Sequence, residues 1–369
     1  MSPSRSGRIL LALTSHGLGH LTRSLAIARE IRRAAPALEW VVASELPAAV
    51  IARDLPGRFE HLRVGCEPGT LQQSCFELDV PGTRRAYRAF EKQRASRLES
   101  ERRFLAQSRC DALIVDVPAL PVRAASDLGL PVLGVSNFTW DWILEPLLAA
   151  EDAGMLRQLA QDYAAGTRQL VLPFGPETSP FPANEPAPLV SRRARLAPDE
   201  TRTRLGLPPR EEAALVLVCP GGWSPVGWEP IRLQGCQGMR LLTVGDLPIR
   251  ADVPVHALPN ELAEGLCFPD LVCAADAVVA KPGYGIASEC ALHRTPLVAI
   301  ERPGFRETPV LVDAFRRLGP CPALSLRDFF AGRWEAALAV ALDSRAAWAA
   351  VPENGARQVA ERILTLLEL

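Results

Sequence analysis

Ile9-Leu10-Leu11-Ala12-Leu13 runs directly into Thr14-Ser15-His16-Gly17-Leu18-Gly19-His20, and a helix-like stretch, Leu21 to Arg33, follows. Strand, glycine-containing turn and helix are the opening of an α/β nucleotide-type domain. Two histidines flank the glycines, where a phosphate loop more often carries lysine or only small residues. The loop at the carboxyl end of a first strand faces the ligand crevice in such folds. The turn therefore places imidazoles, and not only backbone N–H groups, in that crevice. Leu21, Leu25 and Ala28 share one face of the helix, with Arg29, Arg32 and Arg33 on the other.

The same alternation continues outward. Trp40–Ala43, Asp111–Asp116 and Pro131–Ser136 read as strands, and Val122–Leu128 as a helix between the last two. Short apolar runs with helical spacers predict a mostly parallel sheet covered on both faces. Prolines punctuate residues 176–210, from Pro176 to Pro209, which reads as an inter-domain connection. A second series then begins: strands at Ala214–Cys219, Leu241–Val244, Ala277–Ala280 and Leu297–Ile300, with a helix at Ile286–Leu292. The expected division is an N-terminal domain at 1–190, a Pro-rich linker at 191–212 and a C-terminal domain at 213–345. The segment 346–369, amphipathic from Ala356 to Leu367, is expected to dock back on the N-terminal domain.

Composition narrows the function class. At 369 residues the chain suits two domains rather than one core. Apolar residues are 48% and charged residues 22%, an ordinary globular balance. A formal net charge of −1 gives no footprint for nucleic acid. Nine cysteines include no C-x-x-C pair and read as buried thiols of a cytoplasmic protein. The apolar run after Met1–Arg8 is too short for a signal-peptide core, and no later stretch approaches a membrane span. Arg84 to Arg109 is a long helical pattern with a basic middle: Arg84, Arg85, Arg88, Lys92, Arg94 and Arg97. It reads first as a solvated face; association with an anionic substrate or membrane surface is its alternative.

Two doubly wound domains in tandem direct both of their ligand crevices toward a deep cleft. In the second domain the best motif is Ala280-Lys281-Pro282-Gly283-Tyr284-Gly285-Ile286-Ala287-Ser288-Glu289. A strand ends at Ala280, glycines allow a tight turn, and a helix is expected from about Ile286. Its N-terminus offers free N–H groups and the positive end of the dipole, suited to a pyrophosphate. Glu289, expected in the first helical turn, suits ribose hydroxyls. Gly221 and Gly222 after another strand offer a second phosphate-contacting turn. Asn137, Trp140 and Asp141 follow a first-domain strand and face the same crevice as His16, Gly19 and His20. Trp140 and Trp142 read equally as core aromatics and as a stacking surface for a sugar.

These residues carry a resemblance to GT-B-fold, Leloir-type glycosyltransferases. Gly19-His20-Leu21-Thr22-Arg23-Ser24-Leu25-Ala26 resembles the first loop and helix of the muramoyl-pentapeptide GlcNAc transferases and of plant-type UDP-glycosyltransferases. Four blocks are more similar still to the glycosyltransferase-like N-terminal region of plant L-arabinokinases. They are His16–His20, Ser136–Trp142, Lys281–Gly285 with Ser288 and Glu289, and Asn354-Gly355-Ala356. They span nearly the whole chain. The arabinokinase pattern continues into a sugar-kinase domain, which does not follow within the 369 residues.

The resemblance implies two Rossmann-like domains and transfer of a hexosyl-type group from a UDP-sugar to an acceptor, with inversion and without a metal or other cofactor. It implies His20 as general base, oriented by Asp116, with His16 as the rival base. It implies that the loop carrying Arg302, Arg306 and Glu307 touches the donor sugar and phosphates, and that the nucleotide base packs near Phe268 and Pro269. The sequence shows no D-x-D pair for a divalent ion, so Lys281, the following helix and the Gly221-Gly222 turn are expected to stabilise the leaving diphosphate. The competing expectations are a sugar-nucleotide epimerase or phosphorylase of the same fold, and a non-catalytic sugar-nucleotide-binding protein.

Overall fold

The computed structural model describes residues 7–64, 67–221, 228–343 and 348–368. The chain divides into two compact units. The first comprises residues 1–72, 78–191 and 354–369; the second comprises 73–77 and 192–353.

The first unit is built on a seven-stranded sheet. In spatial order its strands are Glu60–Leu62, Glu39–Ala43, Arg8–Leu13, Ala112–Asp116, Val132–Ser136, Arg168–Val171 and Asn184–Pro186. All neighbours are parallel. The chain builds outward from Arg8–Leu13 in one direction, then returns to its other side with Ala112–Asp116. That reversal is the topological switch point, where strand ends splay helices apart and open a ligand crevice. Thr14–His20 and Asp116 both emerge there. The core strands are buried along both faces, as the continuous apolar runs require. The C-terminal helix Gly355–Leu367 packs on the first helix, Leu18–Ala34.

The second unit repeats the plan with six parallel strands: Val255–Leu258, Met239–Val244, Ala214–Cys219, Ala277–Ala280, Leu297–Ile300 and Ala323–Leu324. Its switch point lies between Ala214–Cys219 and Ala277–Ala280, the strands followed by Gly221 and Lys281. Residues 73–77 belong to this unit, where Phe76 stacks on Trp228 and packs edge-on to Phe329 and Phe330.

Several expectations are corrected. Residues 191–212 do not run as a linker. Pro198–Arg204 is a helix with Thr201 and Arg202 buried, and Arg202 reaches Asp276 at 2.6 Å and the Ala274 carbonyl. Pro198 starts that helix instead of breaking the chain, because the first helical N–H needs no partner. The first helix begins at Leu18, so His20 sits in a helical turn and not in the preceding loop. The second-unit helix is Tyr284–His293, which places Tyr284 and Gly285 inside it and Glu289 in its second turn.

The long helix is Val80–Ser108, capped by the Asp79 side chain accepting from the Gly82 N–H. Three of its basic residues have partners inside the unit: Arg84 with the Leu147 carbonyl at 2.6 Å, Arg88 with Asp152 at 2.7 Å, and Arg94 with Asp162. Arg85 and Lys92 are exposed, as a solvated helix face requires. No helix among the described residues is long and apolar enough to cross a membrane.

Candidate active site

In the first unit, Thr14 N–H donates to the Asp116 carbonyl at 3.3 Å, tying together the two strand ends at the switch point. Gly17 caps the first helix at φ +96°, and nothing lies within 4 Å of where its Cβ would be. The backbone angle, not crowding, requires glycine here. The helix then presents His20, Arg23 and Ser24, spaced i, i+3, i+4, on one face. All three meet Asp116. His20 Nδ1 lies 3.1 Å from Oδ1. Arg23 donates through Nε to Oδ2 at 2.9 Å and through Nη2 to Oδ1 at 2.6 Å. Ser24 Oγ donates to Oδ2 at 2.6 Å.

Asp116 is 1% exposed. Burial alone would push its carboxyl up, but the Arg23 guanidinium and the His20 ring more than offset that and hold it well below the usual carboxylate range. Arg23 also donates to Asn137 Oδ1 at 2.5 Å, and Asn137 Nδ2 donates to the Phe174 carbonyl at 3.2 Å. The result is a buried network joining His20, Arg23, Ser24, Asp116 and Asn137. Directly after Asp116, Val117 holds φ +81°, strained for a β-branched residue. The Tyr163 hydroxyl donates to its carbonyl.

His16 is placed differently. Its Nε2 lies 2.9 Å from Thr70 Oγ1, and its ring meets Trp140 edge-on at 5.5 Å. Trp140 is buried in the core beside Phe138, so of its two readings the core one describes it; the stacking surface is set aside. Gly19 lies within the first helix and its carbonyl accepts from Thr22. Asp141 begins the next helix beside Trp140.

Glu67, unremarked in the sequence, is buried in the same unit. Its Oε1 accepts from the Ala119 N–H at 2.9 Å and the Leu120 N–H at 2.6 Å, at the start of helix Leu120–Asp127. Burial, only partly offset by those N–H groups, pushes its carboxyl up to about 7. Between about pH 5 and 7 the folded chain thus keeps a proton that the unfolded chain has lost. Stability should fall as pH rises through this window, by up to about 1.4 kcal/mol per unit. Burial raises Glu101 to about 7 as well, so urea unfolding at several pH values should show that Glu67→Gln makes the slope shallower without abolishing it; parallel profiles for both proteins would count against it.

In the second unit, three neighbouring strand ends carry Gly221, Lys281 and Arg302. Gly221 has φ +128°, and a Cβ there would lie 2.4 Å from Lys281 Cε. Glycine is needed both for the angle and for the close approach of lysine. Burial and the Arg302 guanidinium push the Lys281 ammonium down to about 8. Burial pushes Arg302 down to about 10, opposed by Glu307. Arg302 Nε donates to the Cys75 carbonyl at 2.9 Å, its guanidinium stacks 3.4 Å from the Phe305 ring centroid, and its buried Nη2 has no hydrogen-bond partner among the described residues.

The helix Tyr284–His293 starts just after Lys281, with Gly283, which has no side chain to cap it, at the N-cap position. Gly283 is extended there and has open space around its Cβ position. Ser288 is buried and donates to the Gly285 carbonyl at 2.9 Å, so its hydroxyl serves its own helix. Glu289 is buried and held by Arg192, with Nε at 2.7 Å and Nη2 at 2.6 Å from Oε1. Burial raises its carboxyl and Arg192 opposes the shift. Phe268 begins the helix Phe268–Ala274, and Glu307 begins the helix Glu307–Arg316 beside Arg306. Gly222 lies outside the described residues. Among the described residues there is no group of three or more His, Cys, Asp or Glu able to hold a metal ion.

Two parallel, doubly wound units, each with its loops gathered at a switch point, define the GT-B class. Comparison with known proteins gives the same class. The chain superimposes over its whole length on all of a UDP-glucosyltransferase from Polygonum tinctorium, with a TM-score of 0.62 and 15% identity. It is 28% identical to an L-arabinokinase of Arabidopsis thaliana over 329 residues, covering 87% of this chain and 31% of that protein. It is 26% identical to an uncharacterised glycosyltransferase of Methanopyrus kandleri over 226 residues, 57% of this chain and 62% of the other. The chain thus spans less than two thirds of the length of either relative. No family profile matches it. It has the GT-B fold.

Proposed function

We propose that the protein is a glycosyltransferase that moves a hexosyl-type group from a UDP-sugar to an acceptor hydroxyl, with inversion and without a metal. The observation that carries this reading is His20 within hydrogen-bond reach of the buried carboxylate of Asp116, at the switch point of the first unit. With its proton on Nδ1 facing Asp116, His20 offers Nε2 as the base. The acceptor hydroxyl gives its proton to Nε2 as its oxygen bonds the anomeric carbon. The bond from that carbon to the diphosphate breaks, and its electron pair leaves with the phosphate oxygen. Lys281, Arg302 and the N-terminus of the helix Tyr284–His293 supply positive charge suited to that leaving group. Glu289 suits the ribose hydroxyls once Arg192 shares it. The uridine base and the sugar are carried over from similarity to proteins such as the Polygonum UDP-glucosyltransferase.

A UDP-release assay across a panel of sugar nucleotides, with and without candidate acceptors, tests the proposal, which fails if none binds or turns over. Lys281→Ala should weaken UDP binding by about tenfold to a hundredfold, the loss of one charged hydrogen bond. Unchanged affinity in titration calorimetry would remove Lys281 from the diphosphate site.

A further inference from the structure

Arg23 has no place in a simple histidine–aspartate dyad, yet it sits at the centre of this one. Its Nη2 lies 2.8 Å from His20 Nδ1 and 2.6 Å from Asp116 Oδ1, while Nδ1 lies 3.1 Å from that same oxygen. A guanidinium nitrogen only donates, and an ionised carboxylate only accepts. His20 Nδ1 therefore faces one donor and one acceptor, and a single nitrogen can satisfy only one of them. Asp116 already accepts from Arg23 Nε, Arg23 Nη2 and Ser24 Oγ, so it does not need the histidine proton. Nη2 carries two hydrogens, one for Oδ1 and one for Nδ1. The shorter contact is the one to arginine.

We propose that Arg23 is a positioning residue that competes with Asp116 for Nδ1 and holds the resting His20 ring as the Nε2–H tautomer. In that state the nitrogen away from Asp116 is a donor, not a base. His20 gains basic character at Nε2 only when Arg23 yields Nδ1 to Asp116 and the ring proton relocates from Nε2 to Nδ1 through solvent, with no net change in charge. The charged groups facing His20 are Asp116 from the neighbouring strand and Arg23 from its own helix. The Phe138 ring, edge-on at 5.2 Å, and Asn137, bonded to Arg23, add no charge.

Only the consequence for rate rests on the proposed base role; the tautomer itself is read without turnover. The full chain labelled with 15N-histidine, five residues in all, is examined by long-range 1H–15N correlation at neutral pH. The His20 signals are identified by their loss in His20→Gln. Wild type should show Nδ1 unprotonated and Nε2 protonated, and Arg23→Gln should reverse the pattern. A protonated Nδ1 in wild type overturns the proposal, and that spectrum decides even if the variant does not fold. A folded Arg23→Gln with the wild-type pattern overturns it as well. The expected tautomers without any turnover would uphold Arg23 and sink the transferase reading instead.

Discussion

His20→Ala is expected to lower glycosyl transfer by about 10²–10⁴-fold, the usual contribution of a positioned general base. UDP affinity should be unchanged, because the residues assigned to the donor lie in the second unit. The selectivity of the effect is what matters: a base acts on the acceptor proton in the transition state, so its loss appears in kcat and not in donor binding. His16→Ala is the control. Its ring pairs with Thr70 and Trp140, so its loss should cost far less. UDP-release kinetics on both variants, with calorimetric UDP titration, decide the matter. Full turnover in His20→Ala together with its loss in His16→Ala would transfer the base role to His16.

Asp116→Ala should have the largest effect on stability. It leaves the guanidinium of Arg23, 2% exposed, without its carboxylate. Removing one partner of a buried pair costs about 3–5 kcal/mol, chiefly through the uncompensated charge that remains. For a unit of this size that lowers the melting temperature by about 10 °C or more. Asp116→Asn should cost less, since one oxygen still accepts from arginine. The sign of the pH dependence follows from the lowered carboxyl. The contribution of Asp116 is fully present above the ordinary carboxylate value of about 4 and is lost as pH falls toward its lower folded value. Acid unfolding of wild type should therefore be steeper than that of Asp116→Asn. Calorimetry of the two variants, with acid titrations, provides the check; an Asp116→Ala protein that melts with wild type would refute the buried-pair account.

Much of the fold was legible because each core strand is a short apolar run buried on both faces. Ile9–Leu13, Ala214–Cys219, Ala277–Ala280 and Leu297–Ile300 were found this way. Edge strands such as Glu60–Leu62 and Asn184–Pro186 went unread, since they are half solvated and carry polar residues or proline. The 191–212 stretch misled for a local reason: proline marks a helix start as readily as a chain break.

Within the site, His20, Asp116 and Asn137 were named from their places after strands. Arg23 and Ser24 were not, although their i+3 and i+4 spacing from His20 was there to be used. An arginine in a helix otherwise suggests a solvated side chain, and its partner lies ninety-three residues away. Glu67 and Arg192 gave no local signal either; each is defined by the backbone or carboxylate it meets in the folded unit.

The sequence by itself determined two parallel α/β units and the loops that end at strand carboxyl termini, because burial on both faces forces continuous apolar runs whatever their neighbours are. Only the tertiary structure decided that Ala112–Asp116 lies beside Arg8–Leu13, bringing Asp116 beneath His20 and placing Arg23 between them. Strand order and buried charge pairing depend on packing between distant segments, and local periodicity does not encode which distant segment that will be.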